Sequence, residues 1–168
     1  MRPARRPQLG NLKLYSTKQK PRSRSRASPC QIASLRLHDL ARLFRSRYGI
    51  TLPDDDAGRD DMMVAVNHCA SLAHPLGKID AWLGLWCPWT TLAERDAIAT
   101  QAIIHTQFWT ADQLAWRLRL TDEQRTILGI TTIGAIDCSK RERTKRRKAR
   151  IAANAKAWRA RRKAANTA

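Results

Sequence analysis

From Ser28 to Cys138 the chain repeats one pattern. A polar capping residue comes first, then apolar residues every three or four positions, then a breaker. Ser28-Pro29-Cys30-Gln31 opens the first unit, with Ser28 as N-cap, Pro29 at the first helical position and Gln31 completing a capping box. Leu37, Leu40, Ala41, Phe44 and Tyr48 follow at helical spacing, Arg36, His38, Arg42 and Arg45 fall away from that stripe, and Gly49 is the stop. Pro53-Asp54-Asp55-Asp56 opens the second unit, with a stripe of Met62, Val66, Cys69 and Ala73 and with Pro75 ending it. Lys78–Trp86 is a short, nearly all-apolar helix broken by Pro88, and Trp82, Trp86 and Trp89 read as core because almost no positive charge stands beside them in sequence. Thr91–Glu94, Thr110–Gln113 and Thr121–Gln124 are three further capping boxes. The first heads a stripe of Leu92, Ala99, Ala102, Ile103 and Thr106, and Gly129 stops the last helix. The pattern predicts an all-α domain of about six helices over residues 28–138.

The periodicity then changes character. Ser139–Lys163 reads SKRERTKRRKARIAANAKAWRARRK, with thirteen Lys/Arg against the single acid Glu142, no Gly and no Pro. Its Ala-rich second half favours helix, and Ser139 with Glu142 forms a capping box at its start. Residues 139–168 are therefore expected to be a long basic helical tail. Residues 1–27 lack apolar periodicity, alternate Pro and Ser with Arg, and read as a disordered basic arm. The link LGITTIGAIDCS, residues 128–139, holds a β-branched run that could be extended and a turn at Gly134.

Charge gives this division a function. Residues 1–30 hold nine Lys/Arg and no acid, residues 31–138 hold ten against thirteen acids, and the formal net charge of the chain is +18. A mildly acidic middle thus carries two strongly basic arms. Like charges at this density repel along a lone helix, and phosphates would relieve them while releasing counterions. The expected activity is non-enzymatic nucleic-acid binding, DNA favoured over RNA, mainly electrostatic and weakly sequence-specific. The expected contacts are Lys140, Arg141, Arg143, Lys145, Arg146, Arg147, Lys148 and Arg150, extended by Arg159, Arg161, Arg162 and Lys163. The alternative is an adaptor whose helical domain binds a protein partner and whose arms localise it. Four widely spaced cysteines without a C-x-x-C pair, no apolar run in residues 1–30 and no membrane-length apolar segment point to a reduced, cytoplasmic protein. Pro3, Pro7 and Pro21 spoil an amphipathic mitochondrial leader.

Other chemistry is less well supported. The acids Asp54, Asp55, Asp56, Asp60 and Asp61 lack the Gly and Glu positions of a calcium loop and read as helix capping. His68, Cys69, His74 and Cys87 match no structural zinc spacing, so two core thiols and two surface or boundary histidines are expected, with no metal and no cofactor. No phosphate loop, nucleophile elbow or metalloprotease pair is present. Residues 110–128 can be set against a helix-turn-helix. Leu114, Ala115, Leu118, Leu120 and Leu128 fit its apolar places, and Gln124, Arg125 and Thr126 could reach base edges. Arg119 stands where Gly is usual in the turn, Arg125 stands at a normally buried place, and Asp122-Glu123 would meet phosphates badly. A structural helical hairpin is the preferred reading.

The segment Leu128–Asp137, preceded by T-D-E-Q-R-T and followed by a Lys/Arg-rich helix, resembles a group of uncharacterised bacterial proteins associated with mobile elements. The resemblance covers the last third of the chain. It implies a bacterial, cytoplasmic setting on a phage or plasmid and carries no chemistry.

An isolated 139–168 peptide should be only partly helical and should gain helix on nucleic acid. The capping box contributes about 1 kcal/mol, and like-charge pairs such as Arg143–Arg147 and Arg146–Arg150 each cost roughly 0.2–0.5 kcal/mol. Circular dichroism with and without short duplex at low salt measures the gain; no gain at saturation sinks coupled folding.

Overall fold

The local capping chemistry decides where the helices begin. The computed structural model describes residues 27–165, and over them the chain is all-α: α1 (Pro29–Tyr48), α2 (Asp56–Ala70), α3 (Pro75–Trp86), α4 (Leu92–Ile104), α5 (Ala111–Arg117), α6 (Asp122–Ile127) and α7 (Lys140–Ala165). No strand occurs among the described residues. The basic arm expected over residues 1–27 lies, except for Ala27, outside them. The boxes at Ser28/Gln31, Thr91/Glu94 and Thr110/Gln113 form with both limbs. Gly49 ends α1 at φ +83° and Gly129 follows α6 at φ +64°, both in a region that side chains rarely adopt.

The centre of the bundle is α2, which packs on α1, α3 and α4. It is buried on nearly all sides, since Met62, Val64, Ala65, Val66, Asn67, His68 and Cys69 are all in the core. The single stripe expected from periodicity understates this. Phe44 of α1 meets Trp82 and Trp86 edge-on at 6.5 and 6.0 Å, and Trp89 donates its indole N–H to Leu52 O at 2.9 Å. Trp86 is buried and Trp82 and Trp89 half-buried, in keeping with the core reading. Positive charge does stand beside them, however, brought from other helices: Arg45 lies 5.8 Å from the Trp86 ring and Arg59 4.7 Å from the Trp89 ring.

Several expectations need correction. Pro75 does not end α2; the helix stops at Ala70 and Pro75 sits in the first turn of α3, which leaves Ala73 exposed in the connection. His68 is buried rather than at the boundary, with Nδ1 donating to Val64 O at 2.7 Å, and burial lowers its pKa. Leu92 and Ile103 do not join the α4 stripe and are exposed, Leu92 at 75%. Arg36, off the α1 stripe, reaches across to donate to Trp109 O at 2.8 Å. Thr121 caps Gln124 N, but Gln124 returns no bond to Thr121 N; separately, the next amide, of Asp122, donates to Asp137 Oδ1 at 2.7 Å.

The link after α6 is a sewn-down loop. Asp39, a charged residue only 3% exposed in α1, accepts from Thr131 N at 2.9 Å, Thr132 N at 2.8 Å and Thr132 Oγ1 at 2.7 Å through one carboxylate oxygen. Ile130, Ile133 and Ala135 are buried, Gly134 N donates to Ala111 O and Ile136 N to Leu120 O. A Cβ on Gly134 would stand 2.4 Å from Asp112 Oδ1, so only glycine fits the closest approach.

Replacing Asp39 by Ala takes the shared acceptor from two part-buried amides and a hydroxyl. Asp39→Ala should lose roughly 2–4 kcal/mol in denaturant unfolding, against less than about 0.5 kcal/mol for the exposed Asp60→Ala. Equal effects from both would show that the loop is not held by this carboxylate.

Candidate nucleic-acid interface

The basic helix starts where the loop is fastened. Ser139 N donates to Glu142 Oε2 at 3.0 Å and Glu142 N to Ser139 Oγ at 3.2 Å, the reciprocal bonds of a capping box. These bonds hold the Glu142 carboxyl below its ordinary pKa. From there α7 runs for 26 residues, about 39 Å at the α-helical rise, without one buried residue.

Two of the arginines expected on nucleic acid are engaged elsewhere. The Arg143 side chain is only 12% exposed; it donates to Asp112 Oδ1 at 2.6 Å and to the carbonyls of Ala135 and Cys138. Arg146 reaches Asp122 Oδ2 at 2.8 Å but stays largely exposed. Together they bind the first two turns of α7 to the starts of α5 and α6. The signal was present in sequence only as two acids, Asp112 and Asp122, in first turns where dipole capping already accounts for them.

The pairing arginines fix the orientation of the helix. Opposite them, at spacings of three, four, seven and eight residues, lie Arg141, Lys145, Lys148, Lys156, Arg159 and Lys163, all exposed. Lys156 joins this stripe although its neighbours in the Ala-rich half masked its place. Lys140, Arg147, Arg150, Arg161 and Arg162 are also exposed but lie off the stripe, Lys140 and Arg162 along one edge of it and Arg150 and Arg161 on the Arg143 side of the helix. The face can neutralise a line of phosphates over the length of the helix.

The α5–α6 pair does not complement it. Arg119 takes the left-handed turn position at φ +46° without being glycine. Arg125 turns inward, with Nε donating to Ile133 O at 2.8 Å and a pairing with Asp122 at 3.7 Å, and Thr126 Oγ1 donates to Asp122 O within its own helix. Of the three residues that could read base edges, only Gln124 has no side-chain bond among the described residues. α5 and α6 are short, and α6 has no buried residue.

The remaining candidates are dispersed. Asp55 caps Gly58 N at 2.7 Å, Asp54 pairs with Arg59, and Asp61 accepts from the Tyr48 hydroxyl at 3.0 Å, its pKa raised by burial. Among the described residues no group of three His, Cys, Asp or Glu side chains is placed to hold a metal ion. Burial pushes the Cys69 and Cys87 thiols up to about 12, which leaves them protonated near neutral pH and poor nucleophiles. No helix among the described residues is long and apolar enough to cross a membrane. No protein-family model, curated protein or solved structure matches the chain.

Arg143→Ala and Arg141→Ala separate fastening from surface charge. Arg143→Ala should lower stability by about 1 kcal/mol and raise amide exchange in residues 140–147, while Arg141→Ala should change neither. Identical exchange in the two variants would remove Arg143 from the fastening.

Proposed function

We propose that the chain is a non-enzymatic nucleic-acid-binding protein, DNA favoured, that grips the phosphate backbone along α7 with little dependence on sequence. The observation that carries this reading is a 26-residue helix with no buried residue and a cationic stripe on the face opposite its fastening arginines. A long exposed helix of one charge sign is costly in isolation and is matched in length and charge by a polyanion. Few side chains suited to reading bases lie on the stripe, and Arg125 of α6 is turned inward onto Ile133 O, so backbone contact outweighs base contact. The resemblance of the 128–137 segment would place this activity in the cytoplasm of a bacterium carrying a mobile element.

A second reading, a protein-interaction adaptor, draws on the exposed apolar side chains Ile104, Phe108, Trp116 and Ile127 on or beside α4–α6. Salt separates the two, because apolar docking resists it.

Unrelated duplexes should bind within about tenfold of one another, and log affinity should fall linearly with log salt. Replacing Arg141, Lys145 and Lys148 together by Ala should reduce the slope by about 2–3 and weaken binding to all sequences alike. Fluorescence anisotropy over a salt series measures both. A preference above about a thousandfold for one sequence at physiological salt would point instead to base readout.

A further inference from the structure

The cationic stripe does not account for one feature of α7. Ile151 and Trp158 are both 59% exposed, a full heptad apart, on a helix with no other large apolar residue among its described positions. With half-buried Ala155 between them they form a narrow apolar line at spacings of four and three, directly beside Lys148, Arg159 and the rest of the stripe. Arg162, one turn on, holds its guanidinium 5.4 Å from the Trp158 ring. Solubility does not call for an exposed indole at the centre of a cationic surface, and a phosphate backbone does not use one.

Three kinds of occupant could cover this line, and charge selects among them. A second copy of the helix would bring thirteen further cations alongside the first thirteen. A lipid surface needs a broad apolar face opposite a polar one, and here cations flank the line on both sides. A nucleic acid satisfies both elements at once, with phosphates on the stripe and a base face on the indole. In a duplex the base faces are already stacked, and opening a step to admit Trp158 is unfavourable; in a single strand they are free.

We propose that α7 takes single-stranded nucleic acid in particular, with Trp158 as a stacking platform for an unpaired base and Arg162 positioned over the indole beside it. This rests on the reading of α7 as the nucleic-acid-binding helix and names its substrate class. The phosphates of the strand lie along Lys148, Lys156 and Arg159 while the bases turn toward Trp158. Base–aromatic stacking is tolerant of sequence, so single-strand selectivity and weak sequence dependence follow from the same side chain.

The test uses the full-length chain and fluorescence anisotropy with an oligo-dT of about 20 nucleotides and a blunt duplex of equal length at one salt concentration. Trp158 lies outside the core, and circular dichroism of each variant confirms the helix. Trp158→Ala should weaken binding to oligo-dT by roughly ten- to a hundredfold and to the duplex by less than about twofold. Trp158→Phe should retain most of the oligo-dT affinity and Trp158→Leu should not, because leucine keeps apolar bulk without a π-face. Equal losses on both ligands, no loss on oligo-dT, or leucine serving as well as phenylalanine would overturn stacking. If stacking fails while the Arg141/Lys145/Lys148 triple variant still loses affinity for both ligands, the electrostatic reading of α7 stands without it. If wild type binds neither ligand, both fall together.

Discussion

The arrangement of this protein's C-terminal third depends on one buried carboxylate oxygen. Asp39 Oδ2 takes three donors from Thr131 and Thr132, more than ninety residues further along the chain. A buried charge is tolerable only when its lone pairs are filled, and here backbone amides fill them with short bonds. Once the loop is held there, the rest follows by contact. Gly134 lies on the start of α5, Ile136 bonds to Leu120, Asp137 takes the first amide of α6, and Arg143 closes the set through Asp112, Ala135 and Cys138. The segment that looks like a linker is a clasp, and its product is a fixed origin for α7.

The charges of the domain are used with the same economy. Its acids outnumber its bases, and several of them are engaged within the domain rather than by the basic helix. Asp39, Asp55, Asp61 and Asp137 each serve a donor within the domain, and Asp112 and Asp122 reach the first two turns of α7, Asp122 while also pairing with Arg125. Beyond Arg146 the helix leaves the domain and its cations face solvent. Attraction is confined to the fastened end, and repulsion between like charges is spread along the exposed one.

What was legible in the sequence was local. Ser28, Thr91, Thr110 and Ser139 each cap within three residues, so the starts of α1, α4, α5 and α7 could be read from dipeptide chemistry. The thiols of Cys69 and Cys87 went to the core as expected from their apolar neighbours. What was not legible needed a partner from elsewhere in the chain. Nothing in the sequence around Asp39 or His68 announces burial, because the amides or packing that make it tolerable come from distant segments or a neighbouring turn. The same holds for α6, whose first amide is taken by Asp137 from the far side of the loop, and for Pro75, since a proline can close one helix or open the next. Of the twelve cations expected on nucleic acid, Arg143 was the one least recoverable by composition: its role is set by Asp112, thirty-one residues earlier in the chain.

This division of labour bears on what the domain contributes to binding. The unfavourable step in making a helix is its first turn, where several residues are fixed for one hydrogen bond; propagation through alanine-rich sequence is then easy. A free 139–168 segment would have to meet that cost against its own like charges. In the intact chain the Ser139–Glu142 box, the Arg143–Asp112 pair and the Arg146–Asp122 pair hold the first two turns in place before any ligand arrives. The domain therefore needs no surface of its own for phosphate. Its part in the proposed function is to nucleate α7 and to aim it, so that a strand meeting the cationic stripe finds the helix already formed and binding is relieved of the ordering cost.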